Sequence, residues 1–272
     1  MELSKKSIIT GVVIIALVVL VVVIYFAFIQ GKPEEMPIQE TSVELSAQAP
    51  EEVTPVERVP EPIQVELAES DGIVRDMAQE ISSHPEFTTW LGSKNLITKF
   101  TATVDNIAQG SIPRSQIDFF KPKGRFRTFM RGGRYYVSPA SYARYNLVAN
   151  VLSSLDVADC VKLYRQLKPA IQEAFRELGY PEENFQNTLI LAIHELLKVP
   201  VVEKDIPLES RVISFAIADS RLERLSESQK SLLRMGPENV RKIQAKLREF
   251  GLALGLSEDQ LPQPRTYTPR TR

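Results

Sequence analysis

The sequence predicts a mainly α-helical globular domain with one or two β-hairpins, preceded by a single N-terminal transmembrane helix and a disordered linker. Three observations lead there: a run of 22 uncharged, mostly apolar residues from Ile8 to Ile29, a Pro- and Glu-rich stretch from Pro33 to Ser70, and, beyond it, apolar residues recurring at helical spacing. With 272 residues, 43% hydrophobic and 25% charged, there is material for one large or two small folded units.

The apolar run, wound as a helix at about 1.5 Å per residue, would span about 33 Å, enough to cross a bilayer. The segment that closes it, "FAFIQGK", offers no small-x-small cleavage site, so a retained anchor is expected rather than a removed signal peptide. Lys5, Lys6 and the amino terminus precede the span and Lys32 follows it, which places residues 1–7 in the cytoplasm and the remainder outside. In a bacterium the expectation is a single-pass inner-membrane protein with a periplasmic domain.

Residues 33–70 hold six prolines and ten Glu against Arg58, with no aromatic side chain, a composition that cannot bury enough surface to fold. As a coil this tether spans on the order of 35 Å, more when proline and charge repulsion stretch it. The formal charge of −1 is an average of unlike parts: +2 up to Lys32, −9 in the tether and +6 beyond it. A −9 segment tied to a basic body has a high effective concentration, so masking of a basic surface by the tether is a further expectation.

The domain is expected over 71–256. "SKNLITKFTATVDNIAQG" sets Leu96, Ile97, Phe100, Val104 and Ile107 on one helical face, with Ser93 as N-cap and Gly110 as stop. "DVADCVKLYRQLKPAIQEAFRELGYP" starts at Asp156 and ends at Gly179, and Pro169 inside it predicts a kink or a split. "NFQNTLILAIHELLKVP" is amphipathic up to Pro200. "LSESQKSLLRMGPENVRKIQAKLREFGLALG" reads as two helices joined at Gly236, with Pro237 at the first position of the second. "VPVVEKDIPLESRVISFAIA" has β-branched ends that pair as a hairpin or continue as helix. Residues 257–272 read as a flexible C-terminal tail.

One stretch stands out chemically. "KPKGRFRTFMRGGRYYV", residues 121–137, holds six Lys or Arg, four aromatics and no carboxylate. Gly132-Gly133 is a two-residue hairpin signal and predicts Arg131 opposite Arg134, Met130 opposite Tyr135, Phe129 opposite Tyr136 and Thr128 opposite Val137. One face then carries Phe126, Thr128, Met130, Tyr135 and Val137, fit to lie on helices; the other carries Arg125, Arg127, Phe129, Arg131, Arg134 and Tyr136. Arginines directly opposite each other repel unless an anion or a carboxylate intervenes. Lys121, Lys123, Arg125, Arg127, Phe129, Arg131, Arg134 and Tyr136 are therefore the candidate anion-binding residues. The alternative is a solvated edge whose charges pair within the domain.

Signals for chemistry are sparse. His194 in "HELLK" is followed by Lys198 where a zinc-binding helix would place a second histidine, and His84 precedes Pro85 at a helix end. Cys160 is the single cysteine, set among Val157, Val161 and Tyr164 at helical spacing, as a packed thiol would be. No Walker-A, G-x-G-x-x-G, G-x-S-x-G or S-x-x-K pattern occurs. Asp76 with Glu80 and Asp219 with Glu223 have helical spacing, which is far commoner on solvated helix faces than in glycosidase dyads. No cofactor and no metal are expected.

"TATVDNIAQGSIPRS", "SPASYARYN", "LYRQLKPAIQEAFRELGYP" and "RMGPENVRKIQAKLREFG" resemble the uncharacterised bacterial family called domain of unknown function 3014, over roughly residues 73–256. The resemblance implies a proteobacterial, membrane-tethered single domain and brings no activity with it. Ser138 stands where that family tends to have Asp, weakening a helix cap, and Ser220 where it tends to have Pro, loosening a rigid turn.

The function expected from these readings is a periplasmic interaction module, tethered to the inner membrane, whose hairpin meets an anionic partner: lipid, lipopolysaccharide, cell wall or an acidic protein. A cell-envelope enzyme of the cell-wall hydrolase type, with a carboxylate site hidden in the fold, is the alternative. With inverted topology the same basic face would meet cytoplasmic lipid or nucleic acid, although +6 is modest for nucleic acid.

Overall fold

Apolar spacing and capping groups build most of the chain. The computed structural model describes residues 61–112, 122, 124–212 and 214–270. Helices α1 (Ser70–Ala78), α2 (Pro85–Leu91) and α3 (Leu96–Ala108) come first, then strands β1 (Thr128–Arg131) and β2 (Arg134–Val137). Helices α4 (Pro139–Ala143), α5 (Asn146–Ser153), α6 (Val157–Glu177) and α7 (Phe185–Leu197) lead to β3 (Pro207–Ser210) and β4 (Phe215–Ile217). Helices α8 (Ser220–Glu223), α9 (Glu227–Leu233) and α10 (Pro237–Ala253) complete the order. The domain is mainly helical with a four-stranded antiparallel sheet in the order β1-β2-β3-β4.

The caps explain many of the helix starts. His84 Nδ1 accepts the Glu86 N–H at 3.2 Å, Asp156 accepts the Asp159 N–H at 2.9 Å, and Ser226 with Gln229 forms a capping box on α9. Gly236, at φ 84°, joins α9 to α10 as an αα-hairpin, and a Cβ there would lie 2.4 Å from the Tyr142 ring. Only glycine allows that approach. At α4, Ser138 occupies the cap position without a side-chain hydrogen bond.

The two largest of four apolar clusters fill most of the interior among the described residues. One gathers Ile97 and Val104 of α3, Leu167, Ile171 and Phe175 of α6 and Phe185 of α7; the other gathers Val137, Leu208 and Ile217 of the sheet with Leu232, Leu233, Val240 and Ile243 of α9 and α10. Helix α10 touches α5, α6 and α7, and so links the helical side to the sheet side.

Several sequence expectations are corrected. Ser93 does not cap α3; the carboxylate of Asp71, on α1, accepts the N–H groups of Asn95 and Leu96, each at 2.8 Å. Helix α6 is not split at Pro169, because the residues around the proline, Leu167, Ala170, Ile171 and Ala174, are all buried in the core. Packing there outweighs the backbone hydrogen bond that the ring removes. The second hairpin uses "PLES" and "FAI" as its arms, and it joins the first through β2 and β3 into one sheet.

Both ends of the expected domain are extended. The Ile63 N–H donates to the Gln166 carbonyl at 2.9 Å, and Ile63 and Leu67 pack on the α6 cluster, so the last residues assigned to the tether belong to the domain. The expected C-terminal tail is docked: Leu261 is buried against Ile193 and Leu197, and Val201 bridges Thr266 in parallel. Apolar residues spaced among its prolines find partners on α7 and α10 that local patterning does not reveal. The span expected at 8–29 and the tether up to residue 60 lie outside the described residues. Among the described residues no helix is long and apolar enough to cross a membrane.

Candidate functional site

Gly132 and Gly133, at φ 57° and 74°, supply the left-handed pair that a two-residue hairpin turn needs. The register is the one that loop dictates, with Arg131 opposite Arg134 and Thr128 opposite Val137. The base of the hairpin is held by Ser141 of α4, whose buried hydroxyl donates to the Arg127 carbonyl at 2.8 Å and accepts the Arg127 N–H at 2.7 Å.

The arginine face differs from the expectation. Arg131 is 2.7 Å from the Asp205 carboxylate, which supplies the counter-charge its opposition to Arg134 demands. Its guanidinium also lies over Tyr136 at 4.9 Å and over Phe129 at 5.8 Å from the ring centroids. Phe129 and Tyr136 stack at 5.5 Å, and Tyr136 is buried, so it is not a contact residue. Arg125, Arg127 and Arg134 are exposed. Lys121 and Lys123 lie outside the described residues. Of the eight candidates, therefore, three arginines are displayed, while Phe129, Arg131 and Tyr136 form a structural stack.

The opposite face was expected to lie on helices and does so only in part. Burial falls along each strand toward the turns: Val137, Leu208 and Ile217 are buried, Tyr135 is half-buried, and Met130 and Phe215 are exposed. Because Tyr135 pairs with Leu208 and Tyr136 with Pro207, the β1–β2 and β3–β4 turns lie at the same end of the sheet. There the rings of Tyr135 and Phe215 meet edge-on at 5.4 Å, Phe126 sits 6.1 Å from Phe215, and Arg144 lies over Phe126 at 5.8 Å. These side chains adjoin a cavity of about 70 Å³ between the sheet and the helices, lined by Tyr142, Tyr145, Leu208 and Ile217 among others. That is small beside the ~300–1,000 Å³ of metabolite sites. Burial, reinforced by the negative charge of Asp205, pushes the Tyr142 phenol up to about 12 and keeps it protonated.

The other candidates for chemistry have structural work. Asp219 caps α8 and accepts four hydrogen bonds, from the Arg221 and Leu222 N–H groups, the Tyr267 hydroxyl and the Arg270 N–H. Burial opposes its charge, yet those donors outweigh burial and hold its carboxyl below the usual range. Glu223 accepts the Ile217 N–H at 2.9 Å and lies 3.8 Å from Lys230, so this pair locks β4 to the helices after it. Asp76 and Glu80 are exposed. Burial first, then Asp156 and Asp159, pushes the Cys160 thiol up to about 12, far from a reactive thiolate. Burial and then the Lys198 charge lower the affinity of His194 for a proton, and its Nε2 has no hydrogen-bond partner among the described residues. No cluster of metal-ligating side chains occurs among the described residues.

Sequence reasoning missed Asp205, Phe215 and Arg144 as parts of this surface. Each lies on a different segment from the hairpin, and no local pattern ties them to it.

Fold and surface together define a mainly helical domain whose small sheet exposes arginines along its first hairpin and apolar side chains at its turn end. The family model described as "Protein of unknown function (DUF3014)" matches residues 96–251, more than half of the chain, and the chain belongs to that family. The match runs from the first residue of α3 into α10. No curated protein and no solved structure matches the chain.

Proposed function

We propose that the chain is a membrane-tethered, periplasm-facing interaction module that binds an anionic envelope component through the β1–β2 hairpin. The observation that carries this reading is the display of Arg125, Arg127 and Arg134 on a hairpin braced at its base by Ser141 and across its sheet by Asp205. A rigid scaffold lowers the entropy lost when such side chains engage phosphate or carboxylate. Each guanidinium near a strongly anionic surface adds about 1 kcal/mol, less as salt rises. Arg131 braces the sheet through Asp205 and is left unchanged in the variant for that reason.

The test is calorimetric titration of the full chain with soluble polyphosphate, as a neutral stand-in for partner identity, over a range of salt. The triple variant R125S/R127S/R134S should lose most of the affinity and most of the salt slope while its thermal unfolding stays within a few degrees of the parent. Equal affinity of parent and variant overturns the reading.

A further inference from the structure

Resting on that reading, we infer that the partner is an anionic lipid bilayer, and that the turn end of the sheet enters its interface with Met130, Phe126, Phe215 and Val212 as the apolar wedge.

Exposure is the first ground. Met130 is 59% exposed, Val212 102%, Phe126 43% and Phe215 37%. These are four of the nine large hydrophobic side chains exposed among the described residues, and all four belong to the two hairpins of one sheet or to the residues entering them. Met130, Val212 and Phe215 adjoin the two turns, which lie at the same end, and Phe126, which precedes β1, joins them through its ring 6.1 Å from that of Phe215. Phe215 meets Tyr135, and Tyr135 stands opposite Met130, so the apolar surface is continuous from Phe126 to Met130, with Val212 in the adjoining turn. Scattered exposed apolar residues need no explanation; a continuous group at a sheet tip does.

Charge is the second ground. Arg131 and Arg134 flank the β1–β2 turn, Arg211 opens the β3–β4 turn, and Arg144 lies over Phe126. Against them stand Asp205, paired with Arg131, and Glu209, 3.5 Å from Arg211. Among the described residues the surplus at this end is positive. An apolar tip within a rim of guanidinium groups matches a bilayer interface, where acyl chains receive the tip and phosphates receive the rim. An acidic protein would satisfy the rim and leave Val212 and Met130 without a defined acceptor. Position is the third ground: the sequence before the described residues carries the 22-residue apolar run from Ile8 to Ile29, which would keep a membrane within reach of the tether.

The experiment uses the full chain with Met130 replaced, M130C, labelled with bimane and reconstituted into phosphatidylcholine vesicles with or without phosphatidylglycerol. Cys160, which is half-buried, is replaced by alanine in every labelled protein so that the label is confined to the introduced cysteine. Lipids carrying a spin label on the acyl chain report depth by quenching. V212C serves as an independent second position. We expect quenching at both positions in phosphatidylglycerol vesicles, its loss in pure phosphatidylcholine, and about a fivefold weaker association for each arginine removed among Arg125, Arg127 and Arg134. No quenching in either vesicle, with arginine-dependent polyphosphate binding intact, overturns the bilayer as partner and leaves the anion-binding reading standing. Loss of both signals overturns the two together.

Discussion

Phe175 and Met130 are both large apolar side chains, yet one is 1% exposed and the other 59%. Phe175 lies in the α6 cluster, stacked on Tyr180 at 4.7 Å and edge-on to Phe185 at 5.5 Å. Met130 lies at the turn end of the sheet, past the point where the helices stop covering it. In the helical region the inward apolar residues are buried in the two main clusters, while Ile73, Phe100, Leu178, Leu191 and Leu252 stand exposed singly on or beside different helices. In the sheet the two-residue alternation continues beyond the core, and its apolar face emerges into solvent beside the two turns. The exposed side chains there are the ones proposed above to enter a bilayer interface.

The sharpest way to break this contrast is to truncate both residues. F175A should cost about 3–5 kcal/mol, read as a large drop in the denaturation midpoint, because the cavity left between α6 and α7 cannot collapse around fixed aromatic neighbours. A loss under 1 kcal/mol would show that the helical core is not where the stability lies.

Next in size is Asp219, which fastens the C-terminal residues to α8. D219N leaves buried donors poorly satisfied and should cost about 1–3 kcal/mol at neutral pH. The sign with pH follows from the depressed native pKa. The stabilisation by Asp219 is complete above the carboxylate's unfolded-state pKa of about 3.9, and it is lost as pH falls through the lower native value. Melting temperatures of parent and D219N should therefore differ at neutral pH and converge in acid. A constant gap down to the lowest pH tolerated would contradict the assignment.

Smaller and opposite in sign is S220P. Ser220 is the first residue of α8 and follows Asp219 in extended backbone at φ −75° and ψ 113°, which is the conformation proline requires of its predecessor. A gain of about 0.4–1 kcal/mol in chemical denaturation is expected. Smallest of all is M130S, which should change stability by under about 0.5 kcal/mol. If M130S destabilises as F175A does, the turn end belongs to the core and the contrast fails.

How much of this was legible depends on how far apart the partners stand in the chain. The β1–β2 register was readable because a two-residue Gly-Gly loop fixes it locally, and α9 and α10 were readable because Gly236 and Pro237 punctuate them. The Asp71 cap on α3 was not, since it is supplied 24 and 25 residues away by another helix. Likewise the neutralisation of Arg131 depends on Asp205, and no charge count over residues 121–137 could anticipate it. The docked C-terminus was hidden by its prolines, which suppress every periodic signal while leaving Leu261 and Tyr267 free to fill positions prepared by distant helices. For the candidate surface, the arginines were visible and the pairing of Arg131 with Asp205 was not.

The attachment of Tyr267 and Arg270 to Asp219 also bears on where this module can be cut or fused. The family match ends at residue 251, inside α10, so a fragment trimmed to it would lose Leu261, the Val201–Thr266 bridge and two of the four donors to a buried carboxylate. Such a fragment would leave the Asp219 carboxylate with only the Arg221 and Leu222 N–H groups, two residues after β4 in the sheet whose tip is the candidate surface. A fusion partner attached directly after Arg270 would pull on that same carboxylate. The last residues are thus a fastening of the sheet side, and a binding assay on a shortened domain would measure the damage to that fastening together with the surface.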